Sequence, residues 1–98
     1  MAAAHGHRHV TLFGDIDLAA AGRVREVLTG AVEQSISVEV DLAHVTFLDS
    51  SGINALVAAS KAARVRGHAF VVTSPSAPAR RVLDITGLLA VLTGAAPA

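Results

Sequence analysis

The alternation of apolar and polar residues is clearest over residues 36–42, which read ISVEVDL. A period of two is typical of a strand that buries one face and turns the other towards water or a polar partner. Apolar runs at His9–Phe13 and His68–Thr73 predict two further strands, and the run at Leu88–Leu92 predicts a last one. The chain therefore contains four predicted strands.

The segments between these strands have apolar residues at helical spacing and are predicted to be helices. Apolar positions recur every three or four residues from Leu18 to Val32 and from Ser51 to Arg66. Asp17 stands where the first helix needs an N-cap, and Gly67 is a typical stop for the second. The segment between Ser76 and Gly87 predicts a short third helix that Ser76 caps, with Pro78 at an early helical position.

This order of strands and helices predicts an α/β fold. We expect one domain over all 98 residues, with an ordered core at about residues 8–93. The predicted sheet is mostly parallel and has about four or five strands with right-handed crossovers. The alternation in residues 36–42 favours helices mainly on one face of the sheet. Residues 43–47 are predicted to be a connection, residues 48–52 a polar turn, and residues 94–98 a frayed tail.

Composition removes several classes of function. Apolar residues make up 52% of the chain, which excludes disorder, and the absence of cysteine excludes disulfides and thiolate sites. A net charge of zero and only three aromatic residues, all Phe, argue against a nucleic-acid partner. The sequence has neither a membrane-spanning apolar run nor a signal-peptide pattern. We therefore expect a cytoplasmic protein without direct membrane contact.

Two polar clusters mark the predicted helix starts. They are Asp15-Ile16-Asp17 and Asp49-Ser50-Ser51-Gly52, and both follow strands. Functional groups of α/β proteins gather at the carboxyl ends of strands, where free amides of a helix N-terminus favour an anion. Taken alone, both clusters are also explained as ordinary caps and turns.

The run VEVDLAHVTFLDSSGI, residues 38–53, resembles the signature of STAS domains, specifically that of bacterial anti-sigma factor antagonists. In that signature an apolar strand ends in Asp-Leu and is followed by an aromatic-apolar pair and Asp-Ser-Ser/Thr-Gly. Residues 12–17, LFGDID, and the segment 74–88 are similar to two other parts of the family's pattern. The resemblance covers about residues 8–93, and its motifs occur in the family's order.

The resemblance implies a partner switch without catalysis by this chain. In that family the unmodified domain binds an anti-sigma factor that is also a serine kinase, and thereby frees a sigma factor. Phosphorylation of the serine after the motif Asp ends the association, and a serine phosphatase restores it. By position the phosphoacceptor is Ser50, and ATP with its metal belongs to the kinase, so no cofactor is expected here. The expected surroundings of the phosphosite and partner surface are Asp15, Asp17, Asp49, Ser51, Gly52, Ile53 and Asn54.

The sequence also departs from the family. Asn54 stands where members commonly carry a small residue, usually Gly. The segment before His9 is short, so we expect the family's first strand to be reduced or missing, and the usual C-terminal helix does not follow Leu92. A second hypothesis keeps the fold but makes the chain a regulatory STAS subunit of a membrane transporter ATPase complex, without a phosphorylation switch.

Catalytic and metal-binding alternatives have less support. Asp15, Asp17 and Asp49 are a conceivable Mg²⁺ cluster, but their roles as cap and turn residues explain them without a metal. The nucleophile elbow of serine hydrolases and the glycine-rich loops of nucleotide sites are absent from the sequence. The alternating His5, His7 and His9 are interpreted as solvated terminal residues, with no carboxylate nearby to complete a site. No metal site is predicted.

Overall fold

A computed structural model describes residues 5–94 of the chain. Its strands and helices alternate, as expected, until the last two elements, which are both helical. In chain order they are β1 (His5–Ile16), α1 (Leu18–Gln34), β2 (Ser35–Leu48), α2 (Ser50–Arg66), β3 (Ala69–Thr73), α3 (Ala77–Ile85) and α4 (Leu89–Leu92). The α/β class predicted from the sequence is confirmed.

The three strands form one parallel sheet in the order β1-β2-β3. Along β2 the side chains of Val38, Val40 and Leu42 are fully buried, whereas Glu39 between them is exposed. The buried face joins a single core cluster to which α1, α2 and α3 contribute Leu28, Leu56 and Leu83, among others. The helices therefore cover mainly one face of the sheet, as the alternation predicted.

The prediction of a connection at residues 43–47 is wrong, because β2 continues to Leu48. Two shifts of register interrupt its pairing with β1, one between Thr11 and Phe13 and one between Gly14 and Asp15. At each shift β2 contains one residue more than β1, which is the arrangement of a β-bulge. The buried positions of β2 consequently change from every second residue to every third, at Leu42, Val45 and Leu48.

The described residues 5–94 form three strands, not four or five, and Leu88–Leu92 does not form a strand. It forms the single helical turn α4, in which the amide of Leu92 donates to the carbonyl of Leu88 at 2.9 Å. A short apolar run fits a buried helical turn as well as a strand, and here Leu92 is buried in the core. The first strand starts earlier than predicted, at His5 instead of His9. Of the predicted tail, residues 95–98 lie outside the described part.

The predicted helix caps are confirmed, whereas the polar turn predicted at residues 48–52 is wrong, because Leu48 ends β2 and residues 50–52 belong to α2. Asp17 caps α1 by accepting from the amide of Ala20 at 3.1 Å, and the Ser76 hydroxyl caps α3 by accepting from the amide of Ala79 at 3.3 Å. Gly67 ends α2 in the left-handed conformation with φ of 70°, which glycine adopts without strain. These caps fix where each helix begins relative to the strand before it.

Candidate functional site

The two polar clusters meet at one edge of the sheet, where β1 and β2 end side by side. Ile16 pairs with Leu48 in the parallel register, and the amide of Asp49 lies 3.5 Å from the carbonyl oxygen of Ile16. Asp17 follows the last residue of β1 and is the N-cap of α1, and Asp49 follows the last residue of β2 and is the N-cap of α2. The structure thus brings the predicted residues of both clusters together.

The Asp49 carboxylate closes the first turn of α2. Its Oδ1 accepts from the amide of Ser51 at 2.9 Å and from the amide of Gly52 at 3.2 Å. The prediction of free amides at this helix start is wrong for these two amides, and the alternative of an ordinary cap is confirmed for Asp49. The helix start already has an anionic group in place, so any further negative charge there lies beside a carboxylate.

Gly52 permits α2 to start close against the two strand ends. A Cβ atom at this position would lie 2.5 Å from Leu48 Cδ1, 2.6 Å from the carbonyl oxygen of Ile16 and 2.8 Å from Ile16 Cγ2. All three distances are shorter than any real Cβ contact, and the carbonyl belongs to the backbone. A side chain at residue 52 would therefore push the start of α2, including Ser50, away from the sheet.

Ser50 is the first residue of α2 and its side chain is exposed to solvent. Among residues 5–94 the Ser50 hydroxyl makes no hydrogen bond, so it is free to react without loss of a structural contact. Ser51, the neighbouring hydroxyl, is half-buried. Accessibility therefore favours the serine that the sequence singled out over the one beside it.

The other two predicted carboxylates serve local hydrogen bonds. Asp15 Oδ1 accepts from the Thr46 hydroxyl at 2.6 Å, which ties β1 to β2 just before both strands end. Asp17 is occupied as the cap of α1. Asp15 is exposed and Asp17 is half-buried, so both remain within reach of a partner molecule at this edge.

One predicted partner residue is placed elsewhere. Ile53 is 7% exposed and belongs to the core, so its inclusion in the partner surface is wrong. Ile53 shares the buried face of α2 with Leu56, and this face packs into the core. Asn54 is exposed and Val57 is half-buried, and these two residues form the accessible face that Ser50 begins.

Sequence reasoning missed three apolar side chains beside the site. Phe47, in the residue pair before Asp49, is 47% exposed, and Leu18 at the start of α1 is 79% exposed. Phe13 is 68% exposed and stacks on the His44 ring with 5.0 Å between ring centroids. Phe47 lies between Val45 and Leu48, which the core buries, and its own side chain faces outwards.

His7 and His9 are exposed, as predicted, but two carboxylates lie near His9. His9 Nε2 lies 3.9 Å from Glu39 Oε2 and 3.8 Å from Asp41 Oδ2, on the open face of the sheet. Within residues 5–94 no group of three or more His, Cys, Asp or Glu side chains is arranged to hold a metal ion. In the same part of the chain, no helix has the length and apolar character needed to cross a membrane.

Comparison with known proteins identifies the family of this chain. The sequence profile of the STAS domain matches residues 1–96. The chain is also 35% identical to the anti-sigma-B factor antagonist of Listeria monocytogenes over 83 residues, which are 82% of this chain and 73% of that protein. The protein belongs to the STAS domain family.

Solved structures share the fold. The anti-sigma factor antagonist SpoIIAA in its unphosphorylated form superposes with a TM-score of 0.76 at 20% identity, over 91% of this chain and 79% of that one. A sulfate transporter family protein from Wolinella succinogenes superposes with a TM-score of 0.75 at 19% identity, over 90% and 72% of the two chains. The fold alone therefore does not separate a regulatory switch from a transporter component.

Proposed function

We propose that this chain is an anti-sigma factor antagonist. In its unmodified form it binds an anti-sigma factor that is also a serine kinase, and this binding releases a sigma factor. Phosphorylation of Ser50 ends the binding. A serine phosphatase removes the phosphate and restores the binding. The chain supplies a docking surface and an acceptor hydroxyl, and carries out no catalysis itself. The 35% sequence identity with the Listeria antagonist supports this role. The fold shared with SpoIIAA, which has been solved in unphosphorylated and phosphorylated forms, is consistent with it.

The observation that carries the proposal is the placement of Ser50. Its hydroxyl is exposed at the start of α2 and unbonded within residues 5–94. Exposed apolar side chains, those of Phe47 and Leu18, belong to the strand end and helix start at the same edge of the sheet. A kinase requires a hydroxyl that it can reach, and a partner requires apolar surface to bury. Both requirements are met at the same edge of the sheet.

The charge that phosphorylation adds falls where it repels an acidic neighbour and leaves the fold in place. A phosphoserine carries about −1.5 to −2 charges at neutral pH. The start of α2 favours negative charge by about 0.3–1 kcal/mol through the helix dipole, which offsets part of the repulsion from Asp49. A partner carboxylate about 6 Å from the phosphate, at an effective dielectric constant of about 20, adds about 3 kcal/mol per unit charge before salt screening. One partner carboxylate at that distance therefore weakens binding by about a hundredfold.

The test uses purified anti-sigma factors from the organism that encodes this chain, each incubated with the chain, ATP and Mg²⁺. We expect one of them to bind the chain and to add a group of about 80 Da to it. The modification is lost in Ser50→Ala and retained in Ser51→Ala, the matched control one residue away. A wild-type chain that none of these factors binds or modifies contradicts the proposal. Association with a purified permease-ATPase complex in that case supports the transporter-subunit alternative.

A further inference from the structure

A basic and apolar surface extends from Ser50 along α2. Ser50, Asn54, Val57 and Lys61 are spaced by three or four residues, so they lie on one face of the helix. Over its 17 residues α2 contains three cationic side chains and no acidic one. Since each residue adds 1.5 Å, this face reaches about 16 Å from Ser50 to Lys61.

A groove of about 340 Å³ lies on this surface. Its walls are the side chains of Asn54, Val57, Ala58 and Lys61 from α2 together with Arg25 from α1. Val57 and Ala58 are half-buried and form an apolar floor between the two cations. Beyond Lys61 the apolar surface continues to Val65, which is 88% exposed.

The two cations of the groove have no acidic partner within the described residues. The contacts of 4.0 Å or less between basic and acidic side chains in residues 5–94 involve His9 and Arg66, not Arg25 or Lys61. Arg66 shows the contrast, because its guanidinium lies 3.3 Å from Glu33 of α1. Arg25 and Lys61 are exposed and present their charges to an outside ligand.

We infer that this groove receives an acidic segment of the anti-sigma factor, an inference that rests on the proposed function. Carboxylates of the segment pair with Arg25 and Lys61, and an apolar side chain between them packs on Val57 and Ala58. Charge complementarity selects this occupant, because a surface with cations and no acidic residue attracts acidic segments and repels basic ones.

The experiment measures the dissociation constant for the anti-sigma factor identified with the wild-type chain. The variant Arg25→Glu/Lys61→Glu reverses both cations of the groove. The matched control Arg23→Glu/Arg81→Glu makes the same change in net charge with two exposed residues that do not line the groove. Arg23 lies only two positions from Arg25, which places it about 200° away around α1.

We expect the groove variant to bind at least about tenfold more weakly and the control to stay within about twofold of wild type. Added salt weakens wild-type binding, and this salt dependence is smaller in the groove variant because its ion pairs are gone. Arg25→Lys/Lys61→Arg keeps the charges and retains most of the affinity. The neutral variant Arg25→Gln/Lys61→Gln provides the same comparison if the double reversal does not fold.

Three outcomes would overturn the inference. If the groove variant binds as tightly as the control while the wild type binds the anti-sigma factor, the groove is not the acidic-segment site and the proposed function stands. If no anti-sigma factor binds the wild type, both fall. If vesicles of phosphatidylglycerol and phosphatidylethanolamine bind the wild type but not the groove variant, and the anti-sigma factor binds both equally, the cations serve a lipid surface instead.

Discussion

The contact between α2 and the strand ends makes Gly52→Ala the most informative test of how Ser50 is positioned. The added methyl group would meet Leu48 Cδ1, Ile16 Cγ2 and the Ile16 carbonyl oxygen at 2.5–2.8 Å. Side chains in a packed core move with difficulty, and the carbonyl belongs to a strand paired with β2. The start of α2 must therefore move instead, carrying Ser50 and Asp49 with it.

The expected cost follows from two opposing terms. Overpacking of a core typically costs about 1–3 kcal/mol, and the backbone clash places Gly52→Ala near the upper end. Replacing glycine by alanine inside a helix stabilises the folded state by about 1 kcal/mol through its higher helix propensity. We therefore expect a net loss of about 2 kcal/mol in the free energy of unfolding. For a domain of this size that lowers the midpoint of urea denaturation by about 1.5 M.

Two other glycines provide matched controls. Gly22 and Gly30 lie within α1, and a Cβ at either would meet nothing within 4 Å. Gly22→Ala and Gly30→Ala keep the gain in helix propensity without the clash, so each should raise the free energy of unfolding by about 0.5–1 kcal/mol. The reasoning is refuted if Gly52→Ala is as stable as these controls and binds the anti-sigma factor normally.

Two further predictions concern the same edge. In a urea titration, Asp49→Ala should lower the free energy of unfolding by about 1 kcal/mol, because two amides of α2 lose their acceptor. Asp49→Asn keeps an oxygen at this position and should recover most of the loss. Equal stability of the two variants would contradict the capping role. Phe47→Ala should weaken anti-sigma binding by at least about tenfold in a titration, since aromatic side chains dominate interface energies, while Ile85→Ala, an exposed apolar residue on α3, should not. Equal effects of these two would count against a partner surface at the site.

Periodicity predicted the parts of the fold in which it is undisturbed. Helices α1 and α2 each carry an apolar stripe that begins after a capping aspartate, and α2 also has a stop signal at Gly67. Their spans were therefore predicted to within a few residues. The end of β2 was missed because its bulges change the burial period from two to three, and bulges arise from pairing with β1. The run Leu88–Leu92 was mistaken for a strand because five apolar residues carry no period that separates a strand from a helical turn.

The candidate site was predictable where chemistry is local. The motif around Ser50 marks a capped helix start, and the structure places it at the strand ends as expected. Which neighbouring side chains face outwards depends on how closely α2 approaches the sheet, and this depends on Gly52. The sequence therefore assigned Ile53 to the partner surface, although the core buries it, and overlooked Phe47 and Leu18.

The most direct measurement is the affinity of the anti-sigma factor for the Ser50-phosphorylated chain, compared with the unmodified chain in the same buffer. Circular dichroism and urea titration serve as the control that both forms are folded. The account predicts a dissociation constant at least about a hundredfold larger after phosphorylation, which corresponds to about 2.8 kcal/mol. Equal dissociation constants for two folded forms would contradict it.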